Sequence, residues 1–444
     1  MRVVILYLLL FPSIVFAQEW KKMGNVSGSF NSTIIYNGLL YLNGRITQAN
    51  KGVFKFNGYN ASNIFCKIKQ TYFSEKIVQF RNKVIVYGSM EVCKQDTNQN
   101  KSNVYMAEWD GLYWNEIPIG NESLVINAMC VYNNELYVAG NFRDINGIIF
   151  VNRIARWDGL TWKKVGNGLT GGLTTVQSMC VYNNELYVAG NFSNASGVPV
   201  QNIAKWNGIS WSAVGNGCSG YMRAMVVNPI NNELIVAGEF EYVDNTLKTI
   251  GFAKWNGNKW SKMSNDRVLG VMDLAYYRNR LFVASSERSV LNNMDTLEHL
   301  YTYNESDSTW HSVLEGTNST IANLFNYGDS LLVLGGFTKP YPGIVAYYES
   351  PVGVNQEYKF KRDFLSPSIP NPTSRITRFE YSTEFDNVNL VIFDFFGNEL
   401  EVIKLNDRKG KIDYSFPEKT PPGIYYISLY AEGVRYATQK IILN

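Results

Sequence analysis

The sequence predicts an all-β chain: a seven-bladed β-propeller of four-stranded blades, its last blade closed by an N-terminal strand, followed by a small Ig-like β-sandwich. Three observations lead there. One strand–turn–strand segment recurs along most of the chain. A second, Trp-centred segment follows it each time. No stretch beyond the extreme N-terminus carries helical periodicity with caps. The composition agrees: 29 Tyr and 24 Phe, both strand formers, are interleaved with 36 Gly and many Asn.

The recurring segment is clearest at 129–142, MCVYNNELYVAGNF, and returns nearly unchanged at 179–192. Divergent copies lie at 34–44, 78–89, 224–240, 274–286 and 324–337, which makes seven. The second segment is IARWDGLTWKKVGNG at 154–168 and IAKWNGISWSAVGNG at 203–217. Its Trp109, Trp157, Trp206 and Trp255 lie 48, 49 and 49 residues apart, and Phe56, Tyr303 and Tyr348 extend the column.

One copy translates directly into strands. Met129–Tyr132 and Leu136–Ala139 are short and apolar, and Asn133-Asn134 between them tolerate the left-handed geometry of a hairpin turn. Gly140 marks a place where the backbone bends or meets another closely. Ile154–Trp157 is a third strand, Asp158-Gly159 signals a hairpin, and Trp162–Val165 is a fourth. Four antiparallel strands in one repeat form a propeller blade, which buries its two faces only against neighbours. The seventh copy stops after 344–350 without a fourth strand. The segment Glu19-Trp20-Lys21-Lys22-Met23-Gly24 matches Trp162–Gly166, so the N-terminus is expected to complete the last blade and remove an exposed edge.

The repeat resembles kelch and galactose-oxidase-like propellers over residues 19–350, through its Tyr-Val-x-Gly strand, the Trp/Tyr-Asp/Asn strand and the following Trp. The Gly-Gly doublet of that group survives only as Gly335-Gly336, so the resemblance implies a fold and no chemistry.

Residues 1–17 read as a secretory signal peptide: Arg2, an apolar run from Val3 to Ala17, and a small-to-polar step at Ala17-Gln18. As a membrane anchor the run is short of a span of about 20 residues, and Pro12 interrupts it. Residues 18–350 are the propeller, 351–366 a linker, and 367–444 a separate domain with strands at Thr377–Tyr381, Val388–Asp394, Glu399–Leu405, Ile412–Phe416, Gly423–Ala431 and Lys440–Leu443. Four pieces stand out in order: Ile369-Pro370-Asn371-Pro372, the stretch Val391–Leu400 with Gly397, Pro422-Gly423-Ile424-Tyr425-Tyr426, and Lys440–Asn444. Through them this domain resembles the type A C-terminal sorting domain of the Bacteroidetes type IX secretion system. A terminal Asn444 departs from the basic residue common there. The resemblance implies passage through the periplasm, recognition by the translocon, removal by its sortase, and release or attachment to surface lipopolysaccharide.

With 444 residues, two or more units are expected. Charged residues are 18% of the chain and the net charge is +3, which excludes a strongly basic nucleic-acid binder. Five cysteines do not make a disulfide scaffold. Cys130 and Cys180 occupy equivalent places and read as small core residues, and a Cys66–Cys93 pair is open.

No catalytic motif stands out, and a metal site is not expected from two histidines, His299 and His311. No cofactor is implied. The stretch 143–147 resembles a calcium loop only superficially, because the alternating acids are missing. Asn141, Asn191 and Glu239 follow the repeat glycine in three successive copies. They form either a polar ligand-contacting ring at one channel mouth or a hydrogen-bonded lining. Glu241 is a further acid there. Phe142, Phe150 and Tyr242 either stack on a sugar or pack between blades. The Asp-initiated triplets at 295–297 and 329–331 resemble bacterial O-glycosylation acceptors. The expected function is a monomeric, secreted or surface binding protein for a glycan or a protein. The alternative is a polysaccharide hydrolase or lyase, which needs two carboxylates about 5–10 Å apart. A third reading is a spacer without a small ligand.

Overall fold

The computed structural model describes residues 16–23, 26–46, 51–56, 61–64, 76–93, 100–120, 124–148, 150–173, 175–263, 270–290, 296–305, 308–314, 316–328, 330–351, 364–365, 373–382, 388–394, 399–431 and 434–444. All but Phe16 and Ala17 of the expected signal peptide, together with Cys66, lies outside them. Among the described residues there is no helix. The chain divides into two compact units, Met1–Val352 and Gly353–Asn444.

Among the described residues the first unit contains seven four-stranded antiparallel sheets. Blade 3 shows the pattern: Val125–Tyr132, Glu135–Asn141, Ile154–Trp157 and Trp162–Lys164, paired in that order. The inner strands of the seven blades begin at Ser29, Lys76, Val125, Thr175, Tyr221, Val271 and Ile321. Each neighbours the next, and the seventh neighbours the first, so the array closes into a ring. Blade 7 is completed by Phe16–Lys22, which pairs with Ile344–Pro351, Trp20 opposite Tyr347. The N-terminal strand therefore closes the last blade as the repeat alignment requires.

Local chemistry sets the turns. Asn133 and Asn134 both take positive φ, 48° and 58°, and the Asn pair of blade 4 does the same. That is the type I′ geometry whose twist matches a two-residue hairpin. The outer turn is longer than the Asp-Gly signal suggests. Trp157 pairs with Trp162, leaving four residues in the loop. Asp158 stabilises it by accepting from the N–H groups of Leu160 and Thr161, each at 2.8 Å. Gly140 is required by crowding: a Cβ there would stand 1.9 Å from the Val125 carbonyl oxygen, and Gly190 and Gly238 are hemmed in similarly.

The aromatic columns sit between blades. Trp157 and Trp162 pack ring to ring at 5.2 Å, and Trp206–Trp211 and Trp255–Trp260 repeat the contact at 5.3 and 5.1 Å. The fourth-strand indole also donates to a carbonyl of the preceding blade: Trp162 to Pro118, Trp211 to Val165 and Trp260 to Val214, at 2.7, 3.1 and 3.1 Å. In the other direction the last inner-strand tyrosine donates to the next blade's inner hairpin. Tyr36 reaches Asn82, Tyr132 reaches Asn184 and Tyr182 reaches Asn232, at 2.8 to 2.9 Å.

The second unit is a two-sheet sandwich. One sheet runs Phe364–Leu365, Ile376–Ser382, Lys409–Ser415, and the other Glu399–Leu405, Val388–Asp394, Gly423–Ala431, Val434–Leu443. Phe379 and Tyr414 from the first meet Leu390, Ile427 and Ile441 from the second in one core. The segment read as a linker thus contributes a short strand, at Phe364–Leu365.

The interblade indole bonds yield a prediction. Trp211→Phe keeps the packing but takes the indole donor from the buried Val165 carbonyl, which retains the Gly168 N–H at 3.1 Å, and should cost about 0.5–1.5 kcal/mol. Trp260→Phe should cost a similar amount, and because it lies in the next interface the two losses should nearly add in denaturant unfolding of the full chain.

Candidate functional site

The repeat places chemically different residues at one structural position. In six of the seven blades the second strand ends beside the start of the inner strand; in blade 2 it runs on to Cys93. Asn141 lies opposite Val125, Asn191 opposite Thr175, Glu239 opposite Tyr221 and Arg45 opposite Ser29. Ser286 and Gly336 hold the same place, because their N–H groups bond the Gly270 and Thr320 carbonyls just before the inner strands. These residues form a rim at one end of the channel. An inner-strand bulge lies beside the rim in six blades, around Asn31, Asn127, Gln177, Arg223, Met272 and Ala322.

The three residues singled out from sequence share that rim but differ in how engaged they are. Glu239 is exposed and held by Arg223, whose Nε and Nη2 donate to it at 3.0 and 2.8 Å. Arg223 also lies 5.1 Å from the Tyr221 ring centroid. Asn191 accepts from the Leu173 N–H at 2.9 Å and so braces the loop into blade 4. Asn141 is exposed, and no hydrogen bond of its side chain is found among the described residues.

The aromatic residues separate as well. Phe142 is buried, at 4% exposure, in the core between blades 2 and 3, so it packs rather than binds. Phe150 stays 45% exposed, with the Arg143 guanidinium 4.2 Å from its ring centroid and Asp144 accepting its N–H at 2.7 Å. Asp144 therefore closes a loop turn, which accounts for the stretch that superficially resembles a calcium loop. Tyr242 is also exposed on this face, in a small hairpin with Leu247–Lys248.

Inside the channel the sequence signal was silent. Asp273 follows the blade 6 bulge, at the register of Lys76 in blade 2 and Asn323 in blade 7. Water can reach its side chain, yet atoms crowd it on every side, and this burial pushes its carboxyl above the usual range. The N–H groups of Leu274 and Leu324, the charge of Lys76 and the amide of Asn323 pull the other way. The Leu324 N–H and Asn323 Nδ2 donate to one carboxylate oxygen at 2.8 Å each, and the Leu274 N–H to the other at 2.9 Å. Asp273 is thus a clasp between blades 6 and 7. A lone Asp in an otherwise apolar strand is the only trace it leaves in the sequence.

Cys130 and Cys180 lie on adjacent inner strands, half-buried beside the cores that hold Met179 and Met225. Burial pushes their thiols up to about 11 and about 12. His299 is buried with Nδ1 3.2 Å from the Ser285 carbonyl oxygen, and His311 lies on the outer strand of the same blade. Among the described residues no three His, Cys, Asp or Glu side chains are grouped to hold a metal ion.

In the second unit, Pro370, Asn371, Pro372 and Gly397 lie outside the described residues. The other motif pieces converge. Gly423 pairs with Leu443 and Tyr426 with Lys440, while Val391–Asp394 pairs with Tyr425–Ser428. The Thr373 N–H bonds the Ile442 carbonyl, which ties the start of this domain to its last strand.

No family model and no curated protein matches the chain. Among solved structures, it is similar to PorZ, described as an essential bacterial surface component of the type IX secretion system of Porphyromonas gingivalis. The identity is 13% and the TM-score 0.44, over 94% of this chain and 59% of that one. A chain of a mitotic checkpoint complex is similar at 9% identity and TM-score 0.41, over 78% of this chain and 99% of that one. The chain thus spans well under two thirds of the PorZ chain, and at these scores neither likeness bears on function.

The raised Asp273 carboxyl has a measurable consequence. A folded value above the unfolded one means that its contribution to stability is complete below the ordinary value of 3.8 and is lost as pH rises through the folded value. Asp273→Asn removes this titration. The stability of the variant relative to the parent should therefore rise from pH 3 to pH 7, as measured by urea unfolding at each pH.

Proposed function

We propose that this chain is an exported binding protein, carried through a type IX secretion route by its C-terminal unit and acting at the cell surface or outside it. The export reading is supported by the signal-peptide-like N-terminus and by four sorting-domain segments in order at the C-terminus. The observation that carries the binding reading is the rim: one position of a repeated scaffold bears Arg45, Asn141, Asn191, Glu239, Ser286 and Gly336, while the strands beneath it scarcely change. Variation confined to one face is how a rigid scaffold presents a ligand site. A glycan suits this face best, because amides, hydroxyls and the exposed rings of Phe150 and Tyr242 are sugar-contacting groups.

The hydrolase or lyase alternative has one observation in its favour, the raised Asp273 carboxyl. Three N–H donors already occupy that group, and Glu239 is held by Arg223. On a panel of polysaccharides the full mature chain should bind without releasing reducing or unsaturated ends. Product release abolished by Glu239→Gln or Asp273→Asn would replace binding with catalysis.

Export has its own test. In the native host, the mature protein in surface or medium fractions should begin at Gln18 and lack the segment after about residue 365 by intact mass. A full-length product kept inside the cell would overturn the sorting reading.

A further inference from the structure

Between blades 7 and 1, where the ring closes, the first unit holds a cavity of about 320 Å³. This is at the small end of the range that single small-molecule ligands occupy. Its walls include Ser29, Arg45 and Ile46 from blade 1 and Gly336, Phe337, Thr338 and Pro342 from blade 7. Two of these, Arg45 and Gly336, are rim residues, so the cavity opens on the rim face.

The cavity exists because blade 7 lacks a side chain at the rim position. Five other blades carry Arg45, Asn141, Asn191, Glu239 and Ser286 there. The backbone does not ask for glycine at 336. Its φ is outside the left-handed region, and an added Cβ would meet only the Ser29 hydroxyl oxygen, at 3.7 Å. In contrast, a Cβ on neighbouring Gly335 would lie 2.3 Å from the Thr320 carbonyl oxygen. Gly335 is needed for packing, whereas Gly336 supplies empty space.

The cavity is positively charged. Arg45 is exposed, and no ion pair or hydrogen bond of its side chain is found among the described residues. The rim's other guanidinium near the channel, Arg223, is neutralised by Glu239. Among the described residues no acidic side chain lines the cavity. Lys339 follows Thr338 directly and adds charge of the same sign. A guanidinium facing an acid-free cavity selects a carboxylate or sulfate by charge-assisted hydrogen bonds.

The remaining walls suit a sugar. The Thr338 hydroxyl accepts from Asn318 Nδ2 at 2.9 Å, which leaves its own O–H to donate, and Asn318 Oδ1 fixes the loop by accepting from the N–H groups of Thr338 and Lys339. Ser29 offers a second hydroxyl, while Phe337 and Pro342 supply apolar wall. An extended peptide would instead need a row of main-chain partners. Here the Gly335 and Gly336 N–H groups are already bonded to the Gly343 and Thr320 carbonyls.

We infer that this cavity binds a single acidic sugar unit, its carboxylate or sulfate on Arg45 and its hydroxyls on Ser29 and Thr338. The inference rests on the glycan-binding reading above. The test titrates the full mature chain with glucuronate, glucose 6-sulfate, glucose and an acidic peptide by calorimetry, beside a screen on an array of neutral and acidic glycans. Saturable binding of glucuronate or glucose 6-sulfate, with affinity reduced at least tenfold in both Arg45→Gln and Gly336→Asn and an unchanged thermal midpoint, is expected. Which of the two anions binds tells carboxylate from sulfate. Equal binding of glucose, unaltered affinity in the variants, or binding of the peptide alone would overturn the inference. Array binding that both variants retain would sink this site and leave the glycan reading standing. An array on which nothing binds would sink both.

Discussion

A single blade of this protein has two apolar faces and cannot bury either by itself. Everything in the first unit follows from the interface that two blades make together. Each interface is a sealed apolar layer: in the blade 3–4 seam, Tyr137, Leu169, Val188, Phe192 and Trp211 are all nearly inaccessible. Into that layer blades 2 to 5 send an indole N–H backward to a carbonyl of the predecessor, and blades 1, 3 and 4 send a tyrosine O–H forward to the hairpin of the successor. These donors are polar groups in an apolar seam, so their bonds hold only at one blade-to-blade spacing. Repeating one spacing around a ring leaves one seam without a covalent neighbour, and the N-terminal strand closes it by pairing with the seventh blade. Closure leaves no blade face and no inner strand without a neighbour.

A scaffold made this way separates stability from recognition. The strand residues are nearly interchangeable between blades because each faces the same surroundings. The rim residues are not, because they face solvent. At one register the chain presents an amide spent on bracing a loop and a carboxylate spent on an arginine, beside an amide and an arginine whose side chains meet no partner among the described residues. The same residue type therefore means different things at different blades. Asn191 belongs to the framework while Asn141 is available, and Arg223 is neutralised while Arg45 is not. The seam that closes the ring is also the one where a rim side chain is missing, so the most specialised opening coincides with the least repetitive junction.

The second unit is organised by pairing rather than by repetition. Segments separated by tens of residues, around Val391, Gly423 and Lys440, become three neighbouring strands of one sheet. Thr373 adds the beginning of the unit to the same edge through its bonds with the final strand. The described parts of motifs that read along the chain as a separate series are thus side by side in one sheet.

Much of the architecture was legible in the sequence because the fold is a repeat. Seven copies of one segment, Asn pairs at inner turns, a glycine before five of the six rim residues and a matching Trp-Lys-Lys at the N-terminus determine the blades, the strand order and the closure. Each of these is a local requirement, for left-handed turns, for close backbone approach or for apolar alternation, and local requirements are written in adjacent residues. The rim and the channel were not legible in that way. Whether Phe142 packs or binds depends on the neighbouring blade that covers it. The state of Asp273 depends on N–H groups of the next blade about fifty residues on, and on a lysine four blades earlier in the chain. The cavity beside Arg45 depends on a side chain that glycine does not have, seen only when the first and last blades meet. The sequence by itself determined which strands form and how they repeat; the tertiary structure alone decided which polar groups are satisfied and which remain free, because that is settled by neighbours that are distant along the chain and adjacent only in the closed ring.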